Sequence, residues 1–169
     1  DLTGITHILG SVHFIDGWAF DDPNSLEEWA RRDVDEVWRE YFRLWCDAVS
    51  SDIPFDVMTH PDLPKKFGHR PSFDTTELFD EVARCAADAG VAVEVNVAGL
   101  RKPVGEIYPS HDLLVAFNRA GVGIMVGSDA HAPAEGGMDL EQAYGAARAA
   151  GYARVAVPTA EGGRRYIEL

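Results

Sequence analysis

The sequence predicts an α/β domain built on a parallel sheet. Two observations predict it. Apolar segments of strand length alternate with segments whose apolar residues recur at helical spacing, and capping residues and glycines punctuate the helical segments at their two ends.

Ile5 to Ile15 (ITHILGSVHFI) reads as the first strand. Ser25 can cap a helix that carries Glu27 and Glu28 in its first turn, where negative charge meets the positive end of the helix dipole, and the helix runs to about Val49. Pro54 to His60 (PFDVMTH) is the second strand. Phe73 to Ala89 forms the next helix, with Asp74 or Thr75 as cap and Gly90 as stop, and Val91 to Val97 (VAVEVNV) is the third strand. Ser110 opens a short helix ending at Gly121, and Val122 to Ser128 is strand. Asp139 opens a helix ending at Gly151, followed by a strand from Tyr152 to Val157. Five strands alternating with four helices imply right-handed crossovers, in an open sheet or a closed barrel. No repeat, low-complexity tract or linker divides residues 1–169, so a single domain is expected.

Composition narrows the function. Fifteen Lys and Arg against 28 Asp and Glu leave a formal charge of -13, which argues against nucleic acid or anionic lipid as a partner. An anionic substrate would need a local positive centre. No apolar run reaches the roughly 18 residues of a membrane span and no secretory signal is present, so a cytoplasmic protein is expected. Cys46 and Cys85 fall in helical segments without a C-x-x-C arrangement and read as reduced core thiols.

Chemistry is expected where strands run out into loops. His13 (GSVHF), His60 (VMTHPD), Glu94 and Asn96 (VEVNVAG), and Asp129 and His131 (GSDAH) lie at four such ends. Period two puts Glu94 and Asn96 on one face and Val93, Val95 and Val97 on the other. A single strand-end histidine is more often a hydrogen-bonded structural residue than a ligand, but several converging with a carboxylate suit Zn, Mn or Fe. His7 lies near the opposite strand end and reads as structural. Lys65, Lys66, Arg101 and Lys102 lie in strand-to-helix loops and could meet a phosphate, or simply solvent.

GSVHFIDGW, DVMTHPDLPKKFG, VEVNVAGLRKPVGEIYPS and GSDAH, in that order between residues 10 and 131, resemble the histidinol-phosphatases of the polymerase-and-histidinol-phosphatase (PHP) superfamily. The resemblance implies part of a distorted (β/α)7 TIM-like barrel with parallel strands and a cluster of divalent ions, usually three, at their carboxyl ends. By the same resemblance His13, His60, Asp129 and His131 are metal ligands and Arg101 and, more weakly, Lys65 lie near substrate; Asp129 and His131 are also expected to be catalytic, and Asn96 to bind substrate. The implied reaction is hydrolysis of the small phosphomonoester L-histidinol phosphate in histidine biosynthesis.

The H-x-H motif and bridging glutamate that open the family pattern do not occur in this sequence. The expectation is therefore a C-terminal portion lacking the N-terminal strands, weakly active or inactive alone, and completed by a missing N-terminal segment or by a homo-oligomeric partner. Alternatives are another phosphoesterase of the superfamily, an amidohydrolase-like hydrolase, or a non-catalytic PHP module.

Overall fold

The computed structural model describes residues 4–169. Four strands form a parallel sheet in the order β1-β4-β5-β6: β1 Leu9–Gly10, β4 Val57–Met58, β5 Ala92–Asn96 and β6 Ile124–Gly127. Pairing is thin at one side, where Leu9 meets Val57 and Gly10 meets Met58, and fuller at the other, where Val93 to Asn96 meet Ile124 to Gly127. Helices α1 (Val34–Val49), α2 (Thr76–Ala89), α3 (His111–Arg119) and α4 (Leu140–Ala149) fall in the expected regions.

Three local expectations need correction. The first strand is not continuous. Asp16 and Gly17 both take positive φ, and this two-residue turn folds β2 (Phe14–Ile15) back on β3 (Trp18–Ala19) as an antiparallel hairpin. His13 therefore lies in the loop between β1 and that hairpin. The first long helix is broken: a 3-10 segment, Pro23–Arg31, precedes α1, and the extended Asp33 accepts from the amides of Asp35 and Glu36 to start α1 afresh. The last strand, β7 (Arg154–Pro158), does not extend the parallel sheet. It pairs antiparallel with β8 (Arg164–Glu168) across a turn in which Gly162 and Gly163 take positive φ.

The helical spacing of α1 puts Val37, Trp38, Tyr41, Phe42, Trp45 and Val49 on one buried stripe. They join Phe79, Val82 and Ala86 of α2 and Met58, Val93 and Val95 of the sheet in the main core. The other sheet face carries a smaller cluster of Val57, Ala92, Met125 and Ala156, beside a cavity of about 370 Å³ whose lining includes Leu9 and Glu94. The alternation read from VAVEVNV thus holds, with valines to the helices and Glu94 and Asn96 to the opposite face. Among the described residues no helix is long and apolar enough to cross a membrane.

Beyond β4 the chain turns through Asp62, which has left-handed backbone geometry, into a 3-10 segment, Leu63–Phe67. Asp62 and Lys65 are both fully buried and pair at 3.0 Å. The Lys65 ammonium also donates to the Ile107 carbonyl at 2.7 Å, and Asp62 accepts from the Ser110 amide at 2.7 Å. Breaking a buried pair strands one charge, at a cost of about 3–5 kcal/mol. Urea unfolding should show a loss of that size for Lys65→Met and a smaller one for the double variant Asp62→Asn/Lys65→Met. Equal losses would show that the pair is not what fixes this loop.

Candidate functional site

The carboxyl ends of β1, β4 and β6 point the same way because the sheet is parallel. His60 lies just beyond β4, with φ 30, and Asp129 just beyond β6, with φ 48. A positive φ is uncommon for residues other than glycine, and Asp and His adopt it more readily than most, so each loop turns sharply at its candidate side chain. The His13 and His60 rings meet edge to face with centroids 5.0 Å apart. The charge of Asp129 reaches both His60 and Glu94.

Each of the three histidines has one ring nitrogen occupied. His13 Nδ1 faces Asp21 Oδ1 at 3.2 Å. Burial works against ionisation of Asp21, but His13 and then Lys66 hold its carboxyl below the usual range. His60 Nε2 lies 3.1 Å from Thr59 Oγ1, and because that hydroxyl gives its proton to the Gly10 carbonyl at 3.2 Å, the contact is satisfied with Nε2–H as the donor. His131 Nδ1–H donates to the Asp129 carbonyl at 2.9 Å. Each ring is oriented by an oxygen acceptor and presents its other nitrogen, an arrangement typical of metal-binding histidines.

His60 carries this furthest. It is 7% exposed, its Nδ1 is buried without any partner, and burial first and His13 second push its pKa down to about 4. A neutral imidazole with a bare lone pair is a metal donor in waiting. The donor chemistry therefore fits a divalent ion. The assembly is open, however: the His131 side chain is 78% exposed, and among the described residues no three His, Cys, Asp or Glu side chains stand ready to enclose an ion.

Arg101 joins this end of the sheet. Its Nη2 donates to the Ser128 carbonyl at 2.7 Å and lies 3.6 Å from Glu135, which itself accepts from the His131 amide, while its buried Nη1 has no partner. Two expected substrate contacts are corrected. Lys65 is fully buried, and its ammonium is shared among Ile107, Asp62 and Glu106. Asn96 is fully buried too, donating to Glu94 and accepting from the Ala98 amide. Lys65 is committed to partners within the protein, and Asn96 spends its Oδ1 and one N–H there, with neither side chain open to solvent. Asp21 and Thr59 had no sequence signal for their parts, since each acts through a histidine placed by another segment.

No family model matches the chain. A probable histidinol-phosphatase from Deinococcus radiodurans is 39% identical over 137 residues, which make up 81% of this chain and 52% of that protein. Over those residues the chain is similar to this probable histidinol-phosphatase, and it spans about half of that relative's length. A crystal structure of the Lactococcus lactis histidinol phosphate phosphatase, complexed with Zn, L-histidinol and phosphate, superposes with a TM-score of 0.72 at 22% identity, over 95% of this chain and 62% of that one. At that identity the match shows that the fold is shared with the phosphatase.

The hydrogen bonds fix opposite tautomers. Long-range 15N–1H spectra of the metal-free chain should show His60 protonated at Nε2 and His131 at Nδ1, with His60 neutral down to about pH 4. The Nδ1–H tautomer at His60 would remove the lone pair from the buried nitrogen.

Proposed function

We propose that this chain carries part of the active site of a metal-dependent phosphatase acting on L-histidinol phosphate, and that its parallel strands are an arc of a distorted (β/α)7 barrel. The observation that carries the reading is the buried, neutral and unpartnered Nδ1 of His60, set beside His13 and within the field of Asp129. Kinship with a probable histidinol-phosphatase supplies the substrate class, and the Zn, L-histidinol and phosphate held by the Lactococcus protein agree with it.

His13, His60, Asp129 and His131 would hold divalent metal, with Zn, Mn and Fe all compatible with imidazole and carboxylate donors. Such an ion lowers the pKa of water and offsets charge on phosphoryl oxygens. Asp21 and Thr59 keep the His13 and His60 rings turned for that task. Asp129 adds a negative charge that strengthens cation binding. Arg101, anchored through one nitrogen to the Ser128 carbonyl, offers its free Nη1 to a phosphate oxygen. In so acidic a chain this guanidinium is the local positive centre that a phosphomonoester needs.

Because the donors do not close on one point, the 169-residue chain by itself is expected to bind the ion and turn substrate over slowly. Phosphate release from L-histidinol phosphate should be measurable with Zn or Mn, lost on chelation and lost in His60→Ala. Equal rates on simple alkyl phosphates would refute the substrate assignment. Arg101→Ala should raise KM roughly tenfold to a hundredfold with less effect on kcat, as for a lost charge-assisted hydrogen bond. An unchanged KM would remove Arg101 from the site.

A further inference from the structure

Glu94 lies between the strand that leads to His60 and the strand that leads to Asp129, and none of the roles described so far uses it. It is 9% exposed, on the sheet face opposite the helices. Its Oε2 accepts from the His60 backbone amide at 3.1 Å and from Asn96 Nδ2 at 2.8 Å. Asn96 is held in turn by the Ala98 amide, which donates to its Oδ1 at 2.8 Å. On its other side the Glu94 carboxylate lies against Gly127, so closely that a Cβ at residue 127 would come 1.9 Å from Oε1. Gly127 is the last residue of β6, two residues before Asp129.

One carboxylate therefore touches both the His60 backbone and the end of the strand that leads to Asp129. It accepts the amide of His60, a non-glycine residue held at positive φ, and it fills the space left by the missing side chain at Gly127, just before Asp129. Such a conformation persists only when its surroundings over-determine it. We propose that Glu94 is a positioning residue: wedged between the β4 and β6 loops, it holds the His60 backbone in the turn that presents the imidazole to the ion. The proposal rests on the metal-site reading above, and its structural half can be read without any metal.

Three variants test it, each first shown to be folded by its thermal unfolding curve. Glu94→Ala removes the acceptor. Gly127→Ala keeps Glu94 but displaces its carboxyl, and provides the test if Glu94→Ala does not fold. Glu94→Gln keeps an acceptor of the same shape without the charge. In the metal-free chain, hydrogen exchange of the His60 amide should quicken at least tenfold in Glu94→Ala and Gly127→Ala and stay near wild type in Glu94→Gln. Zinc affinity, measured by competition with a chromophoric chelator, should fall by about ten- to a hundredfold in the first two and be largely restored in Glu94→Gln, as for residues that orient metal ligands.

Unchanged His60 exchange in Glu94→Ala or Gly127→Ala would overturn the proposal. So would a loss of zinc affinity in Glu94→Gln as large as in Glu94→Ala with the His60 amide still protected, because Glu94 would then be a ligand itself. If the wild-type chain binds no zinc, the metal-site reading fails, and the His60 amide alone decides for or against the wedge.

Discussion

The buried Asp62–Lys65 pair is the interaction on which the arrangement of the site depends. Both side chains are fully buried, and each also reaches a third segment: Asp62 takes the Ser110 amide at the start of α3, and Lys65 donates to the Ile107 carbonyl. Burial drives the Asp62 carboxyl upward, against the pull of the lysine. A pair so desolvated contributes little net stability, and its effect is geometric. It fastens the loop that follows His60 to the loop that follows β5, so that the elements bearing His60 and Glu94 cannot drift apart.

On that frame, three histidines are oriented by three different oxygens: a carboxylate, a hydroxyl and a backbone carbonyl. The rings differ in exposure from nearly buried to largely open. His60 is neutral and short of a partner, whereas His131 stands in solvent on a loop tied by Glu135 to Arg101. The acidic chain offers few cations at this end, and Arg101 keeps one edge of its guanidinium unspent.

Much of this was legible in the sequence, and the remainder has identifiable causes. Periodicity located the helices and placed Glu94 and Asn96 opposite Val93 and Val95, because burial dictates alternation directly. The hairpin at Asp16 and Gly17 carried a local turn signal that the long apolar run around it masked. The start of α1 at Asp33 was hidden in the same way by continuous helical composition. Strand ends pointed to His60, Asp129 and His131, since topology sets where loops gather. The parts played by Asp21, Thr59 and Glu94 were not legible, because each depends on which distant residue the fold delivers to it. Lys65, expected to meet substrate, depends on the same kind of delivery: the fold buries it against Asp62 instead.

The uneven width of the sheet affects the order in which the site can assemble. β1 and β4 share two residue pairs, and joining them closes the loop that contains the whole of α1, whereas β5 and β6 share four across a shorter connection. Loop-closure entropy rises with the length enclosed, so the β1 contact is the least rewarded of the sheet's pairings. His13 follows that contact directly along the chain, so its place rests on the packing of the β2–β3 hairpin against α1 and on Asp21 as much as on β1 itself.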